Sequence, residues 1–192
     1  MKIGIYGGAF NPIHFGHIEV ARVACEKLKL DKLIFLPSGN PVHRSICGST
    51  GKDRYEMVEL AIEESGHPKF FVSPFEINIS TPMPTVETLK KFNIWWGNRN
   101  ELYFIIGSDQ ARVFDTWQKP KECLSLAKFV VATRRNMSSD GHESMIKMEV
   151  KDMNLAGTLI RNAIDYGFPI SGMVPRSVEK YIEMKGLYKK GE

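Results

Sequence analysis

Two histidines set close together after a run of glycines are the residues of this chain best suited to chemistry. His14 and His17 flank Gly16, shortly after Gly7-Gly8 and the Asn11-Pro12 turn. Neither falls on an apolar stripe. Imidazole N–H groups donate to phosphate oxygens, more strongly when protonated. A glycine turn lets backbone N–H groups meet an anion with no Cβ in the way. The pattern points to a phosphate cradle with two imidazoles beside it. A metal site is the rival chemistry, but no nearby His, Cys or acidic cluster supplies a third and fourth ligand. The glycines follow neither G-x-G-x-x-G nor G-x-x-x-x-G-K-[ST], which sets aside a dinucleotide fingerprint and a P-loop.

The elements that must hold this stretch alternate. Ile3 to Tyr6 reads as a buried strand ending at Gly7. Ile18, Ala21, Cys25 and Leu28 make one helical face, so a helix is expected from Ile18. Leu33 to Leu36 is a second apolar run, stopped by Pro37. Residues 37 to 51 form a long loop carrying His43 and Arg44, a length that favours a functional role. A helix over Lys52–Glu64 follows, then an extended Phe70–Ile79 bent near Pro74. Thr85 can cap a helix over Val86–Phe92. Leu102 to Ile106 is the clearest later strand, ending at Gly107-Ser108-Asp109, where Asp109 can start a short helix. A helix over Pro120–Ala127 and strands over Phe129–Ala132 and Ile146–Val150 complete the alternation. Thr158 can cap a helix over Leu159–Tyr166, and Pro175–Lys185 reads as the last helix. This order predicts an α/β fold, a Rossmann-like doubly wound parallel sheet with a small C-terminal helical segment. Ligands in such sheets bind beyond the C-terminal strand ends, which here gathers Gly7, Pro37 and Gly107.

Composition narrows the partners. With 192 residues, 43% hydrophobic and 25% charged, the chain suits one folded domain, residues 1–192. A net charge of +4 without a dense basic run fits an anionic small molecule and gives no reason to expect nucleic acid. Cys25, Cys47 and Cys123 are far apart and odd in number, which fits a reducing compartment and neither a disulfide framework nor zinc. No signal peptide or membrane span is read, so a cytoplasmic protein is expected. Assembly is left open; a homo-oligomer is compatible with the sequence.

The segment from Gly7 to His17 resembles the G-x-F-[DN]-P-x-H-x-G-H signature of the HxGH nucleotidyltransferase superfamily. Asn154 to Arg161 resembles its I-S-S-T-x-I-R motif, in the right order. Closer still, Pro37 with His43-Arg44, Thr85 with Thr88-Leu89, Phe104 to Asp109 with Trp117 following, and Val174-Pro175, Val178, Tyr181-Ile182 and Leu187-Tyr188 resemble the bacterial nicotinate-nucleotide adenylyltransferases along nearly the whole chain. The resemblance implies transfer of AMP from ATP to nicotinate mononucleotide, giving the dinucleotide and pyrophosphate, with Mg²⁺ on the triphosphate. It assigns His14, His17 and Arg161 to catalysis. Gly8, Ala9, Phe10, Gly107, Asp109, Thr158 and Ile160 are assigned to ATP. His43, Arg44, Thr85 and Trp117 are assigned to the mononucleotide, Trp117 by stacking on the pyridine ring and Thr85 at the nicotinate carboxylate. No protein ligand to a metal is implied, and residues 150–192 would complete the ATP site. Trp95 and Trp96 match nothing functional and are read as packing residues.

Three stretches depart from the resemblance. Ala156-Gly157 stands where Ser-Ser is usual. Pro82-Met83-Pro84 replaces Pro-Ser-Tyr, and Ser171-Gly172-Met173 lacks an arginine. These departures keep alternatives open: the same transfer to nicotinamide mononucleotide or another phosphate acceptor such as phosphopantetheine, or an inactive nucleotide-binding regulator.

Overall fold

The computed structural model describes residues 1–39, 48–79, 81–96, 99–134 and 142–189. Six strands form one parallel sheet: β1 (Lys2–Gly8), β2 (Lys32–Pro37), β3 (Phe70–Val72), β4 (Glu101–Gly107), β5 (Lys128–Arg134) and β6 (Ile146–Val150), in the order β3-β2-β1-β4-β5-β6. The chain builds outward from β1 in one direction, then returns to β1's other side with β4. The switch point therefore lies between β1 and β4, where an open α/β sheet leaves a crevice.

The apolar runs alternate their side chains across the sheet, as strands buried on both faces must. Tyr6, Leu33, Phe35, Tyr103, Ile105 and Val130 face one core, closed by helices α1 (Phe15–Lys27), α2 (Gly51–Ser65), α6 (Gly157–Asp165) and α7 (Arg176–Lys185). Ile3, Ile5, Leu36, Leu102, Phe104, Ile106, Phe129 and Val131 face the other, closed by α3 (Thr85–Trp96), α4 (Ser108–Arg112) and α5 (Pro120–Leu126). Register aligns Gly8 with Pro37 across β1 and β2, and Gly107 with Ala132 across β4 and β5. The strand ends that carry the glycines thus stand in one row.

Several boundaries differ from expectation, each for a local reason. Helix α1 starts at Phe15, with His14 at its N-cap and His17 in its first turn; a Cβ at Gly16 would stand 2.9 Å from His14 Nδ1, so glycine makes room for that ring. Strand β3 is only Phe70–Val72, because the chain turns around Pro74 and continues as turns with Asn78 N–H bonded back to the Pro74 carbonyl. Helix α3 begins at Thr85 itself, the Pro84 carbonyl accepting from Glu87 and Thr88. A 3₁₀ turn over Phe114–Thr116 leads to Trp117. Trp96 packs on Phe92 with ring centroids 4.7 Å apart, whereas Trp95 meets Phe75 yet remains 56% exposed.

Candidate active site

Beyond the ends of β1 and β4 lies a cavity of about 650 Å³. Gly8, Ala9, Phe10, His14 and His17 line it from the β1–α1 connection. Gly107 and Asp109 line it from β4 and α4, Thr158 and Arg161 from α6, and Thr85 and Trp117 from the far end. Twelve sequence-assigned residues fall within the described part of the chain, all but Ile160 on this cavity wall. His43 and Arg44 lie outside the described residues.

The β1–α1 connection owes its shape to three side chains. Phe10 adopts φ 47, in the left-handed region, and buries its ring against Tyr6, Phe35 and His17 at centroid distances of 5.4, 5.7 and 5.1 Å. That ring covers Gly8: a Cβ there would stand 3.2 Å from it. Glycine at position 8 therefore answers a packing demand and leaves its backbone facing the cavity. Ile13, fully buried, pins the other end of the turn.

The two histidines stack. Their centroids are 3.7 Å apart with the planes inclined by 31°. The His14 backbone N–H donates to His17 Nδ1 at 3.2 Å. Nδ1 is thereby an acceptor, which assigns the neutral ring proton to Nε2. Burial, then the neighbouring His14, hold the His17 pKa well below the ordinary histidine range. His17 is thus a neutral donor at physiological pH rather than a cation, unlike the protonated option the sequence left open. Stacked imidazoles also cannot share a site as two cations at tolerable cost.

Arg161 faces these histidines from α6. Its Nη1 donates to the Asn11 carbonyl at 2.7 Å and its Nη2 to Thr158 Oγ1 at 3.1 Å. The helix N-terminus, the hydroxyl and the guanidinium therefore point the same way, a combination suited to phosphate oxygens. Asn11 collects further bonds: its Oδ1 accepts from Ser49 at 2.6 Å and from Tyr188 at 2.7 Å. The C-terminal segment is thus tied back onto the turn that carries the histidines. Ile160 has another place. Its side chain is fully buried in the core and its N–H is bonded to the Ala156 carbonyl, so it seats α6 and does not line the cavity.

At the other strand end, a Cβ on Gly107 would stand 2.7 Å from Asp109 Oδ1. The carboxylate folds back over glycine and remains exposed at the cavity rim. Burial raises the Tyr6 phenol above its ordinary range, with Asp109 adding to the rise. Trp117 is wedged by Phe104, Phe114 and Phe129, and its buried Nε1 has no hydrogen-bond partner among the described residues. Among the described residues no group of three or more His, Cys, Asp and Glu is arranged to hold a metal ion.

The cytidylyltransferase-like family model matches residues 5–163, from β1 through most of α6. The chain belongs to the cytidylyltransferase-like family. Its relatives include proteins named probable nicotinate-nucleotide adenylyltransferase. One from Thermoanaerobacter sp. (strain X514) is 36% identical, covering 100% of this chain and 96% of the relative. Another from Desulfitobacterium hafniense (strain Y51) is 37% identical, covering 98% and 96%. In fold the chain is similar to the Plasmodium falciparum nicotinic acid mononucleotide adenylyltransferase solved in complex with NaAD. The TM-score is 0.79 at 17% identity, covering 97% of each chain.

Within this family the Ala156-Gly157 departure has a physical reading. A Cβ at Gly157 would lie 2.8 Å from the Asn11 carbonyl oxygen and 3.2 Å from Arg161 Nη1. Glycine lets α6 start against the Asn11 turn. Ala156 holds the N-cap in extended geometry, φ −146 and ψ 144, with no side-chain cap bond. Ala156→Ser is therefore expected to stabilise the fold by about 1 kcal/mol, read as a higher denaturant midpoint at unchanged slope. No change or a loss would show that the helix start is satisfied otherwise.

Two residues at the site, one in its wall and one behind it, carry no signature in the motifs. Glu76 lines the cavity near Thr85, its Oε1 accepting from Thr88 Oγ1 at 2.8 Å. Arg54 lies beneath the cavity and is 1% exposed. The signal for Arg54 was present, since positions 54, 57, 58 and 61 make one helical stripe otherwise filled by Met57, Val58 and Ala61. Burial raises the Glu76 carboxyl to about 7, against the lowering effects of Thr88 and Arg54. Folded, it holds its proton more tightly than the unfolded chain does. The contribution of this carboxyl to stability is therefore fully present below the ordinary carboxyl range and is lost as pH rises through 7. The melting temperature of Glu76→Gln should exceed that of the unaltered protein by a margin that grows from pH 5 to pH 8. A margin independent of pH would contradict the burial argument.

Proposed function

We propose that this chain transfers the adenylyl group of ATP to nicotinate mononucleotide, forming nicotinate adenine dinucleotide and pyrophosphate. The observation that carries this reading is the convergence of two phosphate-binding devices on one cavity. The Gly8–His17 turn and the start of α6 face each other and are joined by the Arg161 bond to the Asn11 carbonyl. The names of the relatives supply the acceptor.

In this mechanism a phosphate oxygen of the mononucleotide attacks the α-phosphorus of ATP. The bond from that phosphorus to the bridging oxygen of the β-phosphate breaks, and pyrophosphate leaves. No protein nucleophile takes part. Catalysis is alignment and charge stabilisation. His17 donates its Nε2 proton as a hydrogen bond to the phosphate oxygens, and His14 stacks beneath it. Gly8, Ala9 and Phe10 present backbone. Thr158 and Arg161 hold the β- and γ-phosphates, which become the leaving group. Asp109 accepts from the ribose hydroxyls beside Gly107. ATP arrives with Mg²⁺ on its phosphates as part of the substrate. Trp117 and Thr85 receive the pyridine ring and its carboxylate, His43 and Arg44 are assigned to the same substrate, and the C-terminal part from residue 150 completes the ATP site. Such a substrate pair suits a cytoplasmic enzyme.

Pyrophosphate release from MgATP, measured with nicotinate mononucleotide, nicotinamide mononucleotide and phosphopantetheine in parallel, tests the assignment. Release is expected with the first in clear excess over the others. Equal or faster release with nicotinamide mononucleotide would move the substrate. ATP binding with no release from any acceptor would leave a nucleotide-binding regulator.

A further inference from the structure

Arg54 stands in the first turn of α2, where the helix dipole disfavours a cation. It is also buried, and burial lowers the guanidinium pKa to about 10. An apolar side chain completing the Met57, Val58 and Ala61 stripe would fill this position without those costs. What the guanidinium does is bridge. Nη1 donates to the Ala9 carbonyl at 2.8 Å, and Nη2 to the Gly39 carbonyl at 2.9 Å. Ala9 belongs to the phosphate cradle after β1, and Gly39 to the connection after β2; both line the cavity. Gly39 in turn packs on the Glu76 main chain so closely that a Cβ there would collide with the Glu76 carbonyl oxygen. Glu76 is held to α3 by Thr88. One fork therefore ties the connections after β1 and β2 directly, and the one after β3 through Gly39.

We propose that Arg54 is a positioning residue for the transfer: through Ala9 and Gly39 it fixes the phosphate cradle relative to the walls that receive the second substrate. It touches neither substrate. A tie between the two substrate walls acts on their mutual alignment, which is realised in the transition state, more than on the binding of either substrate alone. A lysine, with a single nitrogen head, cannot span two carbonyls in the same fixed geometry.

The inference rests on the adenylyl-transfer reading. Unaltered protein without turnover fails that reading. Turnover in the unaltered protein, with the variants unaffected, fails the inference alone. Arg54→Met and Arg54→Lys are compared with the unaltered protein by thermal melting and steady-state kinetics per folded enzyme. In Arg54→Met, kcat is expected to fall at least tenfold, with KM for ATP and for the mononucleotide each within threefold and a cooperative melt retained. Arg54→Lys should recover part of kcat. A lowered melting temperature with kcat within threefold of the unaltered protein would overturn the proposal. So would a kcat of Arg54→Lys no better than that of Arg54→Met. If Arg54→Met does not fold, the kcat and KM values of Arg54→Lys decide alone. If neither folds, Arg54 is a structural residue and the proposal fails.

Discussion

His17→Ala is expected to lower kcat by about a hundredfold or more while the protein keeps a cooperative melt. Replacing the ring removes a neutral donor whose proton is held on Nε2, because Nδ1 accepts the His14 N–H at 3.2 Å. Such a donor is aimed before the substrates arrive and needs no reorganisation as charge develops on the phosphate oxygens. The structural cost is one helix-start hydrogen bond, about 1 kcal/mol, and the lost contacts to Phe10 and Tyr6. KM for ATP should move far less than kcat. Because His17 is held neutral by burial and by His14, kcat/KM of the unaltered protein should show no histidine limb between pH 6.5 and 8. A fully active His17→Ala protein would remove the ring from the mechanism. A steep fall in rate as pH rises through 6.5 would show that the cation is the active form.

Arg161→Ala is expected to cost about a hundredfold in kcat/KM, and Arg161→Lys to recover little of it. The guanidinium fork already spans the Asn11 carbonyl and Thr158 Oγ1, a geometry one ammonium cannot reproduce. Removing it takes a fixed positive charge from the leaving-group end and unties α6 from the turn that carries the histidines. Pyrophosphate, as a product inhibitor, reports on this end directly. Its inhibition constant should rise at least tenfold in Arg161→Ala, with the KM for nicotinate mononucleotide within threefold. If both ends weakened equally, Arg161 would be holding the fold of the cavity rather than the phosphates.

Much of this architecture is legible in the sequence. Apolar runs that stop at Gly7, Pro37 and Gly107 are strands buried on both faces, and their stops are the C-terminal ends where the cavity opens. The Gly7–His17 and Thr158–Arg161 segments declared themselves by residue type. What stayed hidden depends on contacts between distant residues. The Phe10 ring over Gly8 and the Asn11 carbonyl against Gly157 leave no local pattern. Asn11 reads as an ordinary turn residue, yet it receives Ser49, Arg161 and Tyr188. Helix α1 starts three residues before the Ile18 that the apolar pattern indicates, because Pro12 and Gly16 look like a continuing turn whereas His14 and His17 themselves organise the helix start. Ile160 sits between site residues in the motif, yet its apolar side chain belongs to the core. Arg54 gives no such sign, because a charged residue in a first turn is usually solvated, whereas this one is buried.

The central claim is a direct transfer of the adenylyl group between two bound substrates, with no intermediate on the protein. ATP labelled at the α-phosphorus, incubated with the protein in the presence and absence of nicotinate mononucleotide, tests it most directly. The label is expected to move into nicotinate adenine dinucleotide only when the mononucleotide is present, with one pyrophosphate released per dinucleotide and none of the label on the protein. Label on the protein, or pyrophosphate released without the mononucleotide, would contradict the account.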